Sequence, residues 1–181
     1  MKTRAVAVAA VAVLTALTIT GALAAAAPNP AKALVLQRSD FPAGTIAAGG
    51  GGTTTGAGSG YAVTFRYRTG GKPNELTAIV GVSQNEALAV RMFREAVRDL
   101  PTAGVKLTKL QLPRYGDEQH ASFQGTPGGS RLIVRTGSVV WALLLQTYLT
   151  RGGQSHELTK AEAAAELQNY GAKQQRRIGS G

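Results

Sequence analysis

Between Tyr61 and Val82 the chain alternates apolar and polar positions twice over. Tyr61, Val63, Phe65 and Tyr67 are separated by Ala62, Thr64, Arg66 and Arg68, and after Thr69–Asn74 the same period returns at Leu76, Ala78, Val80 and Val82. A period of two marks a strand with one buried and one wet face. Two such runs flanking a short turn rich in Gly, Pro and Asn predict a hairpin. The period then lengthens to three and four: Ala89, Val90, Phe93, Ala96, Val97 and Leu100 form one helical stripe, ended by Pro101. Ser83-Gln84-Asn85-Glu86 has the spacing of a capping box at its start. Arg91, Arg94, Arg98 and Glu95 fall on the opposite, solvated face.

Val105 to Leu112 reads as a strand whose alternation breaks between Leu107 and Leu110, as a bulge would cause. Three more strands are predicted at His120 to Gln124, Arg131 to Arg135 and Ser138 to Tyr148. The last two hold the continuous apolar runs Leu132-Ile133-Val134 and Val139 to Leu145, which fit central strands covered on both faces. A second capping box, Thr159-Lys160-Ala161-Glu162, opens a final helix to about Ile178, with Ala163, Leu167, Tyr170, Gln174 and Ile178 on one face. The expected fold is α+β, a single mainly antiparallel sheet of five or six strands covered by two helices.

The N-terminal part has a different texture. Lys2 and Arg4 precede an unbroken run of small and apolar residues, Ala5 to Ile19, and a small-residue zone ends at Ala27. This is the pattern of a secretory signal with Ala-x-Ala cleavage sites, so residues 1–27 are read as a signal peptide. The alternative is an uncleaved anchor over residues 5–27, which is long enough to cross a bilayer. Residues 28–60 read as an extended segment followed by a Gly/Thr-rich loop, Gly49 to Gly60, and residues 61–181 as the α+β domain, with 34–44 packing on it. Cleavage leaves about 155 residues, enough for one core.

Cysteine is absent. That excludes disulfides, thiol catalysis, thiolate metal sites and the acceptor of a lipoprotein anchor. The formal net charge of +10 falls by the two charges of Lys2 and Arg4, to +8, on removal of the signal. Such a balance favours an anionic envelope component or a protein partner; the alternative is solubility alone, since the basic residues are spread along the chain. The glycine tract matches neither a dinucleotide nor a phosphate-loop fingerprint, and no motif implies a cofactor.

Candidate chemistry is sparse. Asp117, Glu118 and His120 form the densest acidic and imidazole cluster, two carboxylates and a ring nitrogen within four residues, which could share a proton or bind a divalent metal. The structural alternative is a turn whose carboxylates pair with Arg114 or Arg135. Arg66 and Arg68 beside Tyr61 and Tyr67 suggest a platform for a polymer, but alternation sets the rings and the guanidinium groups on opposite faces, which argues against nucleic acid. Trp141 and Tyr148 lie in or beside the most apolar strand, where an open sheet face would let them line a groove for an apolar ligand.

Leu36 to Gly44, Gly116-Asp117-Glu118, Arg135 to Trp141 and Lys173 to Ile178 together resemble uncharacterised secreted proteins of actinobacteria. A more distant resemblance is to PknH-type extracellular sensor domains and PsbP/LpqN-like domains. The resemblance implies an extracytoplasmic, non-enzymatic binding or interaction domain and supplies no catalytic residue. The disulfide cysteines of the PknH-type domain and the lipobox are missing here. The expected function is thus an exported binding domain for an envelope component or an apolar or anionic ligand, touching membrane only if residues 5–27 stay uncut. The alternative is an extracytoplasmic hydrolase or metal-dependent enzyme using Asp117, Glu118 and His120.

Overall fold

The structure, a computed structural model, describes residues 29–98, 107–124, 129–146 and 158–179. The first elements are α1 (Pro30–Leu34) and a 3-10 turn at Arg38–Asp40, followed by strands β1 (Ile46–Thr55), β2 (Gly58–Thr69) and β3 (Lys72–Ser83). Next come α2 (Glu86–Arg98), β4 (Thr108–Lys109), β5 (Glu118–Phe123), β6 (Ser130–Thr136), β7 (Val139–Gln146) and α3 (Lys160–Gly179). All pairings are antiparallel, and the strands form one open sheet in the order β1-β2-β3-β7-β6-β5-β4. The α+β class is as expected. The sheet has seven strands rather than five or six, and a short helix, α1, joins the two expected ones.

The extra strand comes from the Gly/Thr-rich tract, which is β1 and not a loop. Glycine carries no side chain to report a period, so the tract has no visible alternation, yet its backbone completes the ladder with β2 from Ile46↔Arg66 to Thr55↔Gly58. The predicted hairpin is β2–β3, with Tyr61↔Val80 and Phe65↔Leu76 in register. Its turn uses Gly70 and Gly71 at φ +56° and +79°, a backbone region that suits the right-handed twist of a two-residue hairpin and favours glycine.

The two faces of the sheet bury different cores. On one, Phe65, Tyr67, Leu76, Val80, Leu132, Val134, Trp141, Leu143 and Leu145 pack against Ala31, Val35 and Leu36 near α1 and against Ala163, Leu167 and Tyr170 of α3. Phe41, Tyr67 and Tyr170 meet there ring to ring at 4.5–5.4 Å. Gln174 is wholly buried in this layer, and both ends of its amide are used. Its Oε1 accepts from the Leu36 amide at 3.1 Å and its Nε2 donates to the Leu34 carbonyl at 2.7 Å, which ties the N-terminal segment to α3. The second face is narrower, with Ala89 and Phe93 of α2 covering Ile133 and Val140.

The ends of the helices show which capping signals act. Thr159 and Glu162 form the expected box: the Glu162 amide donates to Thr159 Oγ1 at 3.2 Å, and the Thr159 amide to a Glu162 oxygen at 2.9 Å. At α2 the cap lies two residues later than the sequence suggests. Asn85 Oδ1 accepts from the Leu88 amide at 2.9 Å, while Ser83 Oγ donates to the carbonyls of Asn85 and Ser138. Asn and Ser cap comparably, so position within the turn decides. Of the predicted Val105 to Leu112 strand, Thr108–Lys109 is β4; residues 101–106 lie outside the described residues.

Candidate functional site

The expected site residues fall into separate places. Trp141 is fully buried, because the odd positions of β7 face the α1–α3 layer, so it presents no surface to a ligand. Tyr148 lies outside the described residues. Arg66 is on the α2 side of β2, where its Nε donates to Glu75 at 2.7 Å; Gln146 donates to the other Glu75 oxygen at 2.6 Å. Arg68 is exposed and bonds the Gly71 carbonyl across its own turn. Tyr67, in contrast, points into the core and donates to Glu166 at 2.8 Å; burial and that carboxylate hold its hydroxyl protonated far above the usual range.

Asp117 and Glu118 do converge, but on Arg135 rather than on His120. Arg135 Nε donates to Glu118 at 2.7 Å, and its Nη1 lies 2.8 Å from Glu86 and 3.2 Å from Asp117. The same Asp117 oxygen, Oδ2, also accepts from the Gly137 amide at 2.8 Å. The guanidinium side chain is 8% exposed, so three acidic partners hold one buried cation and pin the start of α2 to the β5–β6–β7 corner. Among the described residues no group of three or more His, Asp or Glu side chains is placed to hold a metal.

His120 belongs to a different group, visible only in the strand register. Lys109 of β4 pairs with Ser122 of β5, and Ser122 pairs with Arg131 of β6, so the three side chains form one row across the sheet. His120 stands two residues along β5 from Ser122, on the same α2-side face. Neighbouring strands are about 4.8 Å apart and alternate residues about 7 Å, so the four groups share a patch of about 10 by 7 Å.

The electrostatics of this patch are one-sided. Arg131 is 9% exposed, and its Nη2 donates to the neutral Gln124 Oε1 at 3.0 Å. No carboxylate pairs with Arg131 or Lys109 among the described residues, and burial pulls the Arg131 guanidinium below its usual value. Burial, then Arg131, then Lys109 push the His120 imidazole below its ordinary range, which keeps the ring neutral at neutral pH. Ser122 Oγ and His120 Nε2 are both buried without a hydrogen-bond partner. Buried charges are ordinarily paired, and buried polar atoms bonded, because an unmet group costs about 1–3 kcal/mol or more. A buried cation with one neutral partner, a buried hydroxyl and a buried ring nitrogen thus stand together beside an exposed lysine.

At the β4–β5 edge a groove of about 320 Å³ is lined by Lys109, Leu112, Arg114, Asp117, Gln119 and Ala121, the last two on the face of β5 opposite His120 and Ser122. Lys109 lines it and also stands in the row with Ser122 and Arg131. Sequence reasoning singled out His120 but not Lys109, Ser122 or Arg131. The signal was present in the alternation of β5 and β6, but using it requires knowing which residues stand opposite.

No family model matches the chain, and neither the curated proteins nor the solved structures contain a significant relative.

Proposed function

We propose that the chain is an exported, non-enzymatic binding domain that holds an anionic envelope component at Lys109, His120, Ser122 and Arg131. The observation that carries this reading is Arg131, a buried cation whose described hydrogen-bond partner is a neutral amide. Its neighbours supply a second cation and two unpaired polar atoms, and the basic balance of the chain, +8 without Lys2 and Arg4, draws anions to its surface. Export rests on residues 1–27, whose basic start, apolar middle and Ala-x-Ala zone match a secretory signal. No helix among the described residues is long and apolar enough to cross a membrane.

The test follows the histidine ring by NMR while the exported protein is titrated with inorganic phosphate, and then with phosphatidylglycerol or phosphatidylcholine vesicles. A saturable shift of the His120 resonances with phosphate or the anionic vesicles, weakened in Lys109→Gln and lost in Arg131→Gln, supports the site. No response to either anion, or an equal response in Arg131→Gln, overturns it. Lys109 is exposed, so its variant retains the fold even where the Arg131 substitution perturbs packing.

A further inference from the structure

We infer that β1 is an assembly edge, and that its occupant is β1 of a second copy of this chain, paired antiparallel about a twofold axis. Among the described residues strand β1 ends the sheet, with β2 as its one partner in the ladder. Nine of its ten residues are exposed, and Ile46, at 64% exposure, is the exposed large hydrophobic residue of the described chain. Long exposed edges are ordinarily protected by charge, proline, shortness or a bulge, since their free amides and carbonyls template further pairing. The other end of this sheet is protected in that way: β4 is two residues long and ends on Lys109. Strand β1 holds no charge and no proline, and its register irregularity lies at Ala47/Gly49, leaving Gly49 to Thr55 regular.

Charge selects the occupant. Residues 41–65 carry no charged side chain in a basic chain, so this edge sets no like charge against the same edge of a second copy. Shape agrees with it. An antiparallel twofold centred on Gly52 sets Gly49, Gly50 and Gly51 of one copy against Thr55, Thr54 and Thr53 of the other, so that β-branched side chains lie over positions that have none. Such an interface is isologous and closes at two copies. The contact joins two seven-stranded sheets into one.

The edge can be charged without disturbing the hairpin at Gly51, where an added Cβ meets nothing within 4 Å; at Gly52 it would meet the Gly60 carbonyl oxygen at 2.4 Å. Sedimentation equilibrium of the exported protein is expected to give twice the chain mass. Gly51→Lys and Gly51→Glu alone are each expected to give the single-chain mass, since like charges then face each other on diagonal positions. An equimolar mixture of the two is expected to restore the doubled mass, a result that misfolded variants would not give. A wild-type chain that stays monomeric up to about 1 mM, at the −4.1 kcal/mol limit of weak association, overturns self-pairing and leaves the edge to another protein's strand. A doubled mass that persists in both single variants also overturns it, by placing the contact elsewhere.

Discussion

Arg131 and Arg135 stand four residues apart on β6, on the same face of the same sheet, and both are buried. One is held by three carboxylates, and the other by a single neutral amide. Arg135 is ringed by Glu86, Asp117 and Glu118, contributed by the start of α2 and the start of β5, and its pKa is raised, first by the hydrogen bond to Glu118. Arg131, about 13 Å along the strand, meets Gln124, and burial alone shifts it, downward. On the proposed reading, the difference separates a structural cation from one left for a ligand. Where the fold supplies the counter-charges, the arginine fastens elements together; where it supplies none, the remaining capacity is open to an outside anion.

The largest expected effect comes from supplying that anion. A ligand that binds only the folded state at about 100 times its Kd stabilises by about 2.7 kcal/mol. Urea unfolding of the wild type with and without phosphate at that ratio is expected to show this gain, and Arg131→Leu to show none. An equal gain in both would place the anion elsewhere and erase the contrast between the two arginines.

Next in size is Arg135→Leu. Removing the cation leaves three carboxylates facing one another around an apolar side chain, and breaking a buried pair costs about 3–5 kcal/mol. Because the partners are 33–66% exposed, solvent screens them and the expected loss is nearer about 2 kcal/mol. Arg131→Leu in anion-free buffer is expected to go the other way, gaining about 1 kcal/mol, since it exchanges an unpaired buried charge for an apolar side chain. Chemical denaturation of both variants side by side measures the contrast. Equal destabilisation by both would mean that Arg131 is already paired.

Sequence patterning carried the backbone of this fold further than it carried the site. The alternation of Tyr61 to Arg68 and the Thr159–Glu162 box each report a local preference that tertiary packing does not override. Strand β1 was illegible because Gly49 to Gly52 have no side chains with which to show a face, and Ser83 was mistaken for a cap that Asn85 supplies. Pairing of Asp117 and Glu118 with Arg135 was foreseeable, since the carboxylates precede a strand and the arginine lies on the next. The row Lys109, Ser122 and Arg131 was not. It joins three strands through register, and register is a property of the sheet rather than of any one segment.

The smallest expected effect concerns His120, and it bears directly on whether Arg131 lacks a counter-ion. The imidazole has a folded pKa below its ordinary 6.5, through burial, Arg131 and Lys109. The unfolded chain therefore binds its proton more readily. Above pH 6.5 both states are neutral and the group leaves stability unchanged; as pH falls from 6.5 toward the depressed folded value, stability is lost, and below that value the loss stops growing. Urea unfolding in steps from pH 7.5 to pH 5 is expected to show this slope in wild type and a shallower one in His120→Leu. Saturating phosphate is expected to flatten the wild-type slope as well, because a bound anion favours the protonated ring and raises its folded pKa toward the unfolded one. A slope that phosphate leaves unchanged would mean that no anion reaches His120. The imbalance between the two arginines would then be a cost the fold carries without a ligand to offset it.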